Sequence, residues 1–599
     1  MDIRTSGGPP TDAEIAAVDG VLGAPVSLWE GGERTPADDH LARGGHASRS
    51  RRDLLLPALH ALQDEIGWIS RGGLEYACRR LDVPPADAYG VATFYDRFAL
   101  DQQPPLTVTV CDDVVCKCAG ADDLCRAFDD AVVRRSPCLG LCDRAPAARV
   151  ERSGRAHAEG RLAPASIDGI TQLLGGGDWP DDAAAPVTGG TPQLLRRVGV
   201  VDPESLDSYR AAGGYAALRR AIELGPEAVI REVTDAKLLG RGGAAFPAGR
   251  KWDSVARAPV NPHYLVCNAD ESESGTFKDR VLMEGDPFSI VEAMTIAGIA
   301  TGCEHGYLYV RTEYPLARHR IENAIALART HGYLGDDLAG SGTRFDIEVR
   351  RGAGAYICGE ETALFNSIEG KRGEPRNKPP FPVQAGLFGK PTLENNVETL
   401  VNVLDILVDG AAAFVATGTP DSTGTRLFCL SGHVRRPGVY EVPMGTPLRD
   451  LIDLGGGLRE GRKLYAVLLG GAAGSFVTEG QLDVPLSFEG TRAIGATLGS
   501  GAVMVLDDTA DIEAILLRIA RFFRHESCGQ CVPCRVGTKR QEEILHRLLV
   551  DRKTSNRDAD VALLADIAQA MRDASICGLG QTAASAIQSA VIQLKVLNG

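Results

Sequence analysis

Apolar residues recur at two different periods along the chain, and the period changes from one region to the next. Leu55, Leu59, Leu62 and Ile66 are spaced three or four positions apart, which predicts a helix with one apolar face. The stretch LTVTVCDD alternates apolar and polar residues as a strand does, and it opens a small α/β segment that continues to about residue 174. A helical segment followed by a small α/β fold therefore occupies this part of the sequence.

Three further patterns follow in the rest of the sequence. Residues 194–425 mix glycine-rich loops with strands such as HYLVCNAD and YLYVRTEY and helices such as RHRIENAIALARTHG, which predicts an α/β domain. Residues 426–508 alternate short strands and turns around one helix, as a small α+β domain does. Residues 509–599 read as helical, because apolar residues recur on one face of each segment.

Two stretches without apolar periodicity mark the boundaries of these regions. Residues 1–48 are rich in Gly, Pro, Asp and Arg, and we expect them to be disordered. Residues 175–193, GGGDWPDDAAAPVTGGTPQ, have the composition of a flexible linker. The sequence therefore predicts a helical and α/β domain over residues 49–174, followed after the linker by the three regions above.

Composition and charge exclude several classes of function. The 599 residues are 44% apolar and 24% charged with a net charge of −15, which argues against non-specific binding to nucleic acid or anionic lipid. No apolar run approaches the ~20 residues that span a bilayer, and the N-terminus lacks the pattern of a signal peptide. The 15 cysteines then indicate metal ligation or redox chemistry rather than disulfides. We expect a cytoplasmic protein.

The C-terminal cysteines have the spacing of a metal centre. The stretch ESCGQCVPC places Cys528, Cys531 and Cys534 at C-x2-C-x2-C, and Cys577 follows 43 positions later. Three ligands from one loop and one from a remote segment suit a [4Fe–4S] cluster. A zinc site would normally have a second close pair or histidine partners. Zinc, or a coincidence of buried cysteines, is the alternative interpretation.

The N-terminal cysteines form two pairs. Cys111 and Cys116 stand at C-x4-C directly after a predicted strand, and Cys138 and Cys142 stand at C-x3-C. The two thiols of each segment can together hold one of the two irons of a [2Fe–2S] cluster. Zinc competes on spacing alone, but a second cluster in the same chain favours iron–sulfur. Two further thiols are either alternative ligands or, in the simpler interpretation, small semi-buried residues: Cys118 and Cys125.

Two motifs between the cysteine groups indicate a site for a flat, phosphorylated, redox-active ligand. LGRGGAAFPAGRKW combines cationic side chains with glycines that let backbone N–H groups approach a phosphate, although a plain loop is the alternative. CNADESESGTFKDR crowds Asp270, Glu271 and Glu273, which suit ribose or flavin donors, a divalent metal or a solvated loop. Aromatic side chains that could stack on a planar ring follow at Tyr356 and Phe381.

These motifs, in this order, resemble the NADH-binding flavoprotein family: GRGGAAFPAGRKW, NADESESGTFKDR, GAGAYICGEETAL, KPPFPVQAGLFGKPT, NNVET, ESCGQCVPC and ICGLGQ. The family comprises the 51-kDa-type subunit of respiratory complex I and the diaphorase subunits of soluble NAD-dependent formate dehydrogenases and hydrogenases. The resemblance covers roughly residues 200–590. The first 175 residues look like the family's 24-kDa-type partner, a thioredoxin-like [2Fe–2S] ferredoxin, fused here to the flavoprotein.

The resemblance implies a multidomain α/β and α+β architecture. A thioredoxin-like [2Fe–2S] domain precedes a Rossmann-like domain for FMN and NAD, a ubiquitin-like β-grasp domain of the SLBB type, and a C-terminal helical bundle with the [4Fe–4S] site. The implied ligands are Cys111, Cys116, Cys138 and Cys142 for the first cluster and Cys528, Cys531, Cys534 and Cys577 for the second.

The resemblance also implies contacts for the other cofactors. Those with FMN are Gly242, Gly243, Lys251, Asn268, Asp270, Glu273, Tyr356, Gly359, Glu360, Asn395 and Asn396. Those with NAD(H) are Phe246, Lys251, Glu273, Glu361, Lys378 and Phe381. The catalytic positions are Glu273 and Glu361, which would orient ribose or carboxamide donors, while the two lysines neutralise phosphates and no side chain acts as a covalent or acid–base catalyst. The sequence departs from the family pattern at Ala245, Ser254 and Ser274.

NAD+ accepts two electrons as a hydride, whereas an iron–sulfur cluster passes one at a time, so a flavin must connect them. We expect electrons to pass from partner clusters through [4Fe–4S] and FMN to NAD+, with [2Fe–2S] off this line or at a partner contact. The fused chain, its intact N-terminal cysteines and segments such as YRAAGGYAAL and HESCGQC look closest to the β subunit of an NAD-dependent formate dehydrogenase. Its partner would be an α subunit with molybdenum or tungsten and further iron–sulfur clusters. An NAD-reducing hydrogenase and complex I are the alternative assemblies.

A different class of function is a metal-binding scaffold without turnover, with zinc in both cysteine groups. A yellow-brown colour bleached by NADH would exclude the scaffold, and a colourless protein with stoichiometric zinc would exclude the enzyme. A non-redox NAD-binding module is disfavoured because it leaves the spaced thiols without a role.

Overall fold

The computed structural model describes residues 8–30, 50–129, 132–154, 157–179, 188–190, 192–552 and 556–597. Of the segment predicted to be disordered, residues 1–7 and 31–48 lie outside this description.

The prediction of disorder over residues 1–48 is wrong where the chain forms the helix Asp12–Leu22. A capping box starts this helix, because the Thr11 side chain accepts from the Glu14 N–H (3.3 Å) and the Glu14 carboxylate accepts from the Thr11 N–H (2.6 Å). The buried guanidinium of Arg80 pairs with Asp19 and so ties the helix to the neighbouring one. The letters TDAE were the sequence signal for this helix start.

Three helices and a four-stranded sheet follow. The helices are Leu55–Ile66, Arg71–Leu81 and Pro85–Ala92. The strands are β1 (Leu106–Cys111), β2 (Val133–Ser136), β3 (Ala148–Arg152) and β4 (Ala158–Leu162). Their order is β2-β1-β3-β4, with β2 parallel to β1 and the other neighbours antiparallel. Short helices share the core of this sheet: Val114–Cys118, Ala121–Arg126 and Ile167–Leu174.

The predicted linker is partly built into the fold. Residues 180–187 and 191 lie outside the described part, but β5 (Thr188–Gly190) forms a strand that joins a sheet much further along the chain. Just after it, the buried Glu441 carboxylate accepts backbone N–H groups of Gln193, Leu194 and Leu195 at 2.8–3.1 Å. The linker prediction is therefore wrong for residues 188–190 and 193, which are held by pairing with a distant strand and by a distant carboxylate.

A four-stranded parallel sheet forms the centre of the molecule. Its strands are β6 (His263–Ala269), β7 (Cys303–Val310), β8 (Asp346–Arg351) and β9 (Thr392–Asn396), in the order β8-β7-β6-β9. Every residue of the helix Pro287–Thr301 is buried. The other helices of this region are Leu206–Ala211, Ala216–Leu224, Pro226–Asp235, Ala248–Ala256, Lys278–Gly285, Pro315–Thr330, Glu361–Ile368, Pro382–Ala385, Val397–Asp409 and Ala411–Val415.

A second, mixed sheet has a core of its own. It contains β10 (Thr425–Gly432), β11 (Gly438–Pro443), β12 (Leu464–Leu469), β13 (Ser475–Val477) and β14 (Ala502–Asp507), in the order β13-β12-β14-β10-β11-β5. Two helices accompany it, rather than the one predicted: Leu448–Leu454 and Phe488–Ala493. Residues 425–507 are called the β-grasp module below.

The C-terminal part is helical, as predicted. Its helices are Ile512–Glu526, Val532–His546, Arg557–Ala574, Gly578–Thr582 and Ser585–Ser589. The predicted apolar face of the first is buried at Ile515, Leu516 and Ile519. Among the described residues, no helix is both long enough and apolar enough to cross a membrane.

The β1–β4 sheet and its helices, residues 106–174, pack directly on the central sheet and are called the N-terminal module. The buried Arg280 donates to the Gly140 carbonyl (2.9 Å) and pairs with Asp143 (2.9 Å). Gly140 has φ +67°, and a Cβ atom there would lie 2.1 Å from the Tyr314 hydroxyl oxygen. The two parts therefore meet at a point that leaves no space for a side chain.

Gly140→Ala should loosen this interface. Overpacking and the left-handed backbone together cost roughly 2–4 kcal/mol. We expect faster amide hydrogen exchange in β1 and β3 of the full chain. Gly120→Ala is the matched control, because Gly120 has φ +87° in the same module and its added Cβ would meet only the Asp123 carboxylate at 3.9 Å. Equal exchange in the two variants would contradict the role given to the interface.

Candidate cofactor sites

The residues expected to hold FMN gather where parallel strands end. Asn268 lies in β6 and Asp270 follows that strand directly, while Asn395 and Asn396 are the last two residues of β9. Because the four strands are parallel, their carboxyl ends share one edge. The crevice outside such an edge is where open α/β sheets bind ligands.

The glycine-rich loop passes very close to two neighbours. A Cβ atom on Gly242 would lie 3.1 Å from the Cβ of Asn396. Gly243 has φ +122°, and its Cβ would lie 3.5 Å from the Gly499 backbone in the β-grasp module. Ala245 adopts φ +54°, a left-handed conformation that favours the glycine usual in the family. Close backbone approach, rather than a Rossmann turn, explains the glycines here.

Asp270 contributes an acceptor without a partner. Its Oδ1 atom accepts from the Ser272 hydroxyl (3.3 Å), but the buried Oδ2 atom has no hydrogen-bond partner within the described part of the chain. Burial raises the pKa of Asp270 to about 8. Next to it, the Asn268 amide donates to the Gly359 carbonyl (2.9 Å) and to Glu394 (2.8 Å). A buried acceptor of this kind fits a flavin ring N–H or a ribityl hydroxyl.

Glu273 is held by backbone as well as by a side chain. Its carboxylate accepts from the Tyr356 hydroxyl and from the Ala473 N–H (3.2 Å). Burial raises the pKa of Glu273 to about 7, while these donors act in the opposite direction. The Tyr356 ring packs on Phe522 with centroids 5.0 Å apart, and its N–H donates to Glu526 (2.8 Å). The central sheet, the β-grasp module and the C-terminal helices thus meet around one carboxylate.

The two lysines expected to bind phosphates are paired with carboxylates. Lys251 Nζ lies 3.1 Å from Glu394 and 3.5 Å from Glu361. Lys378 Nζ lies 2.8 Å from Glu360 and 2.6 Å from Glu361. Burial alone would raise the pKa of Glu361, but the two ammonium groups lower it. The predicted lysines and glutamates are therefore brought together in one polar cluster.

The remaining predicted residues divide between surface and interior. Phe246 and Phe381 are 46% and 53% exposed, so their rings are accessible to a planar ligand. Asn395 instead accepts from the Trp252 indole N–H (2.8 Å), and the Asn396 amide donates to Asp279 (2.7 Å). The side chains of these two asparagines support the site edge through hydrogen bonds within the chain.

The C-terminal thiols converge from two segments. Cys534 is buried at the start of a helix, and its electrostatic neighbours include Cys528, Cys531 and Cys577. A Cβ atom on Gly580 would lie 2.9 Å from the Cβ of Cys534, so this glycine lets the Cys577 segment approach. None of the four forms a disulfide. Four free thiols, three from a single loop and one from a neighbouring segment, suit a [4Fe–4S] cluster.

The four N-terminal thiols are all buried. Cys138 Sγ lies 3.4 Å from Cys142 Sγ, and the Cys111 thiol contacts those of Cys116 and Cys138. This convergence of two pairs fits a [2Fe–2S] cluster. The two other thiols of the module have packing roles. Cys125 lies in the hydrophobic core of the N-terminal module, and Cys118 packs against the larger core that includes the central sheet.

One loop connects the N-terminal thiols with the edge of the central sheet where FMN is expected. This edge, formed by Asn268, Asp270, Asn395 and Asn396, is called the flavin edge below. The Ser274 hydroxyl donates to Asp113 (2.8 Å), whose carboxylate accepts the Cys138 N–H (3.0 Å). The Arg311 guanidinium donates to the Cys138 carbonyl (2.7 Å) and to the Glu271 carbonyl (2.6 Å). The residues that follow β6 therefore face the flavin edge at Asp270 and Glu273 and the thiol group at Ser274.

A further group of possible metal ligands was not foreseen from the sequence. The ligand atoms of Asp64, His157 and Glu159 lie within 4.8 Å of one another. Arginine side chains also surround this group, because Glu159 lies 3.0 Å from Arg149 and Arg351 lies 2.9 Å from Asp64. The cations hold the pKa of Glu159 at about 2 despite its burial. The group is an ion-pair network that joins the helix Leu55–Ile66, the N-terminal module and the central sheet.

Comparison with known proteins gives four family matches along the chain. They are a thioredoxin-like [2Fe-2S] ferredoxin over residues 42–174, the Nuo51 FMN-binding domain over 233–405, an SLBB domain over 427–474, and the NADH-ubiquinone oxidoreductase-F iron-sulfur binding region over 514–595.

Individual relatives agree with these matches. The second F-type subunit of NADH-quinone oxidoreductase in Rhizobium meliloti (strain 1021) is 46% identical over 402 residues, which is 67% of this chain and 95% of that protein. The NADP-reducing hydrogenase subunit HndC of Solidesulfovibrio fructosivorans is 45% identical over 399 residues, 66% of this chain and 80% of that protein. A crystal structure of an NAD+-reducing [NiFe]-hydrogenase in the H2-reduced state superposes with a TM-score of 0.79 and 34% identity, covering 91% of this chain and 93% of that chain.

Fold, thiol groups and family matches together define an iron–sulfur flavoprotein that oxidises or reduces NAD(H). The chain belongs to the family of NADH-binding flavoprotein subunits represented by the F-type subunit of NADH-quinone oxidoreductase. It combines the FMN-binding domain, the [4Fe–4S] region and a fused [2Fe–2S] ferredoxin domain, so the predicted family, fold class and cofactors are confirmed.

Three contributors to the site were missed from the sequence. Glu394 contacts both Lys251 and Asn268, and Glu526 accepts a hydrogen bond from the Tyr356 N–H. Glu526 stands two positions before a predicted cluster cysteine, which was a usable signal. The Ala473 N–H had no signal, because a backbone donor leaves no trace in the residue type.

The raised pKa of Glu273 predicts a pH dependence of NADH oxidation. Only the ionised carboxylate can accept at both oxygens, because protonation turns one oxygen into a donor. We therefore expect kcat/KM with ferricyanide to fall about tenfold per unit as the pH drops below about 7. Glu273→Gln should remove this acid limb and lower the plateau at pH 8. Glu304→Gln, at an exposed position of β7, is the control. An unchanged acid limb in Glu273→Gln would exclude Glu273 as its source.

Proposed function

We propose that this chain is the diaphorase subunit of a soluble NAD-dependent formate dehydrogenase, which carries electrons from formate to NAD+. The partner is a catalytic subunit with a molybdenum or tungsten cofactor and further iron–sulfur clusters. The observation that supports this proposal best is the fused chain, in which one group of four free cysteines precedes the FMN-binding domain in sequence and the other follows it. The resemblance to fused formate dehydrogenase subunits, which keep both clusters, adds to it.

FMN, when bound, exchanges a hydride with NAD(H) and single electrons with clusters. The residues of this chain bind and orient the reactants. In the proposal, Gly242 and Gly243 leave room for the FMN phosphate near backbone N–H groups, and the unpartnered Asp270 Oδ2 atom accepts from the flavin. Glu273, fixed by Tyr356 and by the β-grasp backbone, accepts from the nucleotide.

The lysine cluster is the proposed site of the NAD(H) phosphates. Lys251 and Lys378 are held by Glu360, Glu361 and Glu394. We expect the diphosphate of NAD(H) to compete with Glu360 and Glu361 for Lys378, which is the more accessible of the two lysines. The exposed Phe246 and Phe381 rings would stack on the base or the nicotinamide.

The proposed ligands of the clusters are the two converging thiol groups. Cys528, Cys531, Cys534 and Cys577 would hold [4Fe–4S], and Cys111, Cys116, Cys138 and Cys142 would hold [2Fe–2S]. All 15 cysteines are free, and we propose a cytoplasmic location, where thiols stay reduced.

A hydrogenase is the second candidate, and it has a specific observation in its favour. The NAD+-reducing [NiFe]-hydrogenase structure matches this chain over 91% of its length, including the fused N-terminal part. The described residues offer no site that would distinguish formate from hydrogen, and in this proposal either substrate would react on the partner subunit.

The substrate can be decided on the native complex, purified anaerobically through a tag on this chain. NADH formation at 340 nm should occur with formate and should be absent with hydrogen. The denatured complex should release FMN and contain molybdenum or tungsten but no nickel. NADH formation from hydrogen alone would replace the formate assignment with the hydrogenase, and NADH–quinone activity without either would return the chain to complex I.

A further inference from the structure

A glycine-rich loop of the β-grasp module, Gly470–Gly474, reaches into the site at Glu273. The Ala473 N–H donates to Glu273 Oε1 (3.2 Å), and the Ala472 N–H is a second donor to the same carboxylate. Gly471 has φ +81°, and a Cβ atom there would lie 2.5 Å from the Glu273 Oε1 and Cγ atoms. A side chain at position 471 would therefore fit only if the Glu273 side chain moved away.

A second loop of the module, residues 497–501, packs against the first. A Cβ atom on Gly499 would lie 2.6 Å from the Gly470 carbonyl oxygen, so the two loops are in close contact. The second loop also touches the central sheet, because Ser500 exchanges a hydrogen bond with Thr276 (2.5 Å) and Gly499 lies beside Gly243. Both loops therefore connect the module with residues after β6 and with the glycine-rich loop of the flavin edge.

The requirement for these contacts follows from the burial of Glu273. A buried carboxylate without hydrogen-bond donors is protonated or displaced, since desolvation penalises its charged form. Tyr356 supplies one donor, and the only others identified for this carboxylate in the described chain are the backbone N–H groups of the loop. N–H donors fixed in a loop orient the carboxylate more rigidly than a flexible side chain would.

We propose that the Gly470–Gly474 loop is a working part of the NAD(H) site and that Gly471 is a positioning residue acting through Glu273. The β-grasp module then determines where the Glu273 carboxylate points when NAD(H) binds. This inference rests on the proposed role of Glu273 at the nucleotide site. Neither the glycine nor its neighbours touch the nucleotide in this account.

Gly471→Ala tests the proposal, because the added methyl group would clash with the Glu273 side chain and displace its carboxylate. We expect FMN content and both cluster EPR signals to stay at wild-type levels, while kcat/KM for NADH with ferricyanide falls at least about tenfold, mainly through KM, as loss of a hydrogen bond to a charged group would cause. Gly461→Ala is the matched control, because Gly461 has φ +77° in the same module and no atom lies within 4 Å of its added Cβ. It should change kcat/KM less than about twofold.

A double-mutant cycle separates positioning from general damage. In a Glu273→Ala background the clash is gone, so adding Gly471→Ala should change kcat/KM less than about twofold. Equal losses in both backgrounds, or a loss in Gly461→Ala as large as in Gly471→Ala, would overturn the inference. If Gly471→Ala alone does not fold, the double variant should fold, and its failure to do so would also overturn it.

The cycle also distinguishes the inference from the function beneath it. Wild-type turnover in Glu273→Ala would show that Glu273 has no role at the nucleotide site. It would overturn both the proposed role of Glu273 and the inference about the loop. A large loss in Glu273→Ala with wild-type turnover in Gly471→Ala would leave the proposed function standing and refute only the role of the loop.

Discussion

The arrangement of the sites depends on the contacts of the Arg311 guanidinium. From the end of β7 it donates to the carbonyls of Glu271 and Cys138, and it pairs with Glu313 at 3.1 Å. Because it is buried, loss of any of these partners would leave charge or donors unsatisfied. It thereby fixes the residues after β6 against the thiol group of the N-terminal module. One short loop thus contacts both the proposed FMN site and the proposed [2Fe–2S] site.

Close backbone approach is the recurring way in which the modules of this chain meet. Gly140 against Tyr314, Gly243 against Gly499 and Gly471 against Glu273 all have positive φ and face a neighbour from another module. Such contacts allow cofactors bound in different modules to lie near each other, which single-electron transfer needs. They also explain why the β-grasp module, which carries none of the predicted cofactor contacts, belongs to the site.

Much of this could be predicted from the sequence, and the failures have physical causes. The cysteine spacings and ordered motifs predict the family, the fold class and the cofactors, because these features are local in sequence. The helix Asp12–Leu22 was missed because the composition around it outweighed its capping box. The strand Thr188–Gly190 and the donors to Glu441 depend on partners roughly 250 residues away. The positions of Glu273 and Asp270 depend on backbone N–H groups and burial, which residue types do not encode.

The central claim is that a flavin edge stands between two clusters, each held by four cysteines of this chain. The most direct measurement is EPR of the reduced Cys577→Ala variant, with Cys118→Ala as the control, together with bleaching of flavin absorbance by NADH. The account predicts that Cys577→Ala loses the four-iron signal, keeps the [2Fe–2S] signal and is still bleached by NADH, while Cys118→Ala keeps both signals. A four-iron signal of wild-type intensity in Cys577→Ala would contradict it.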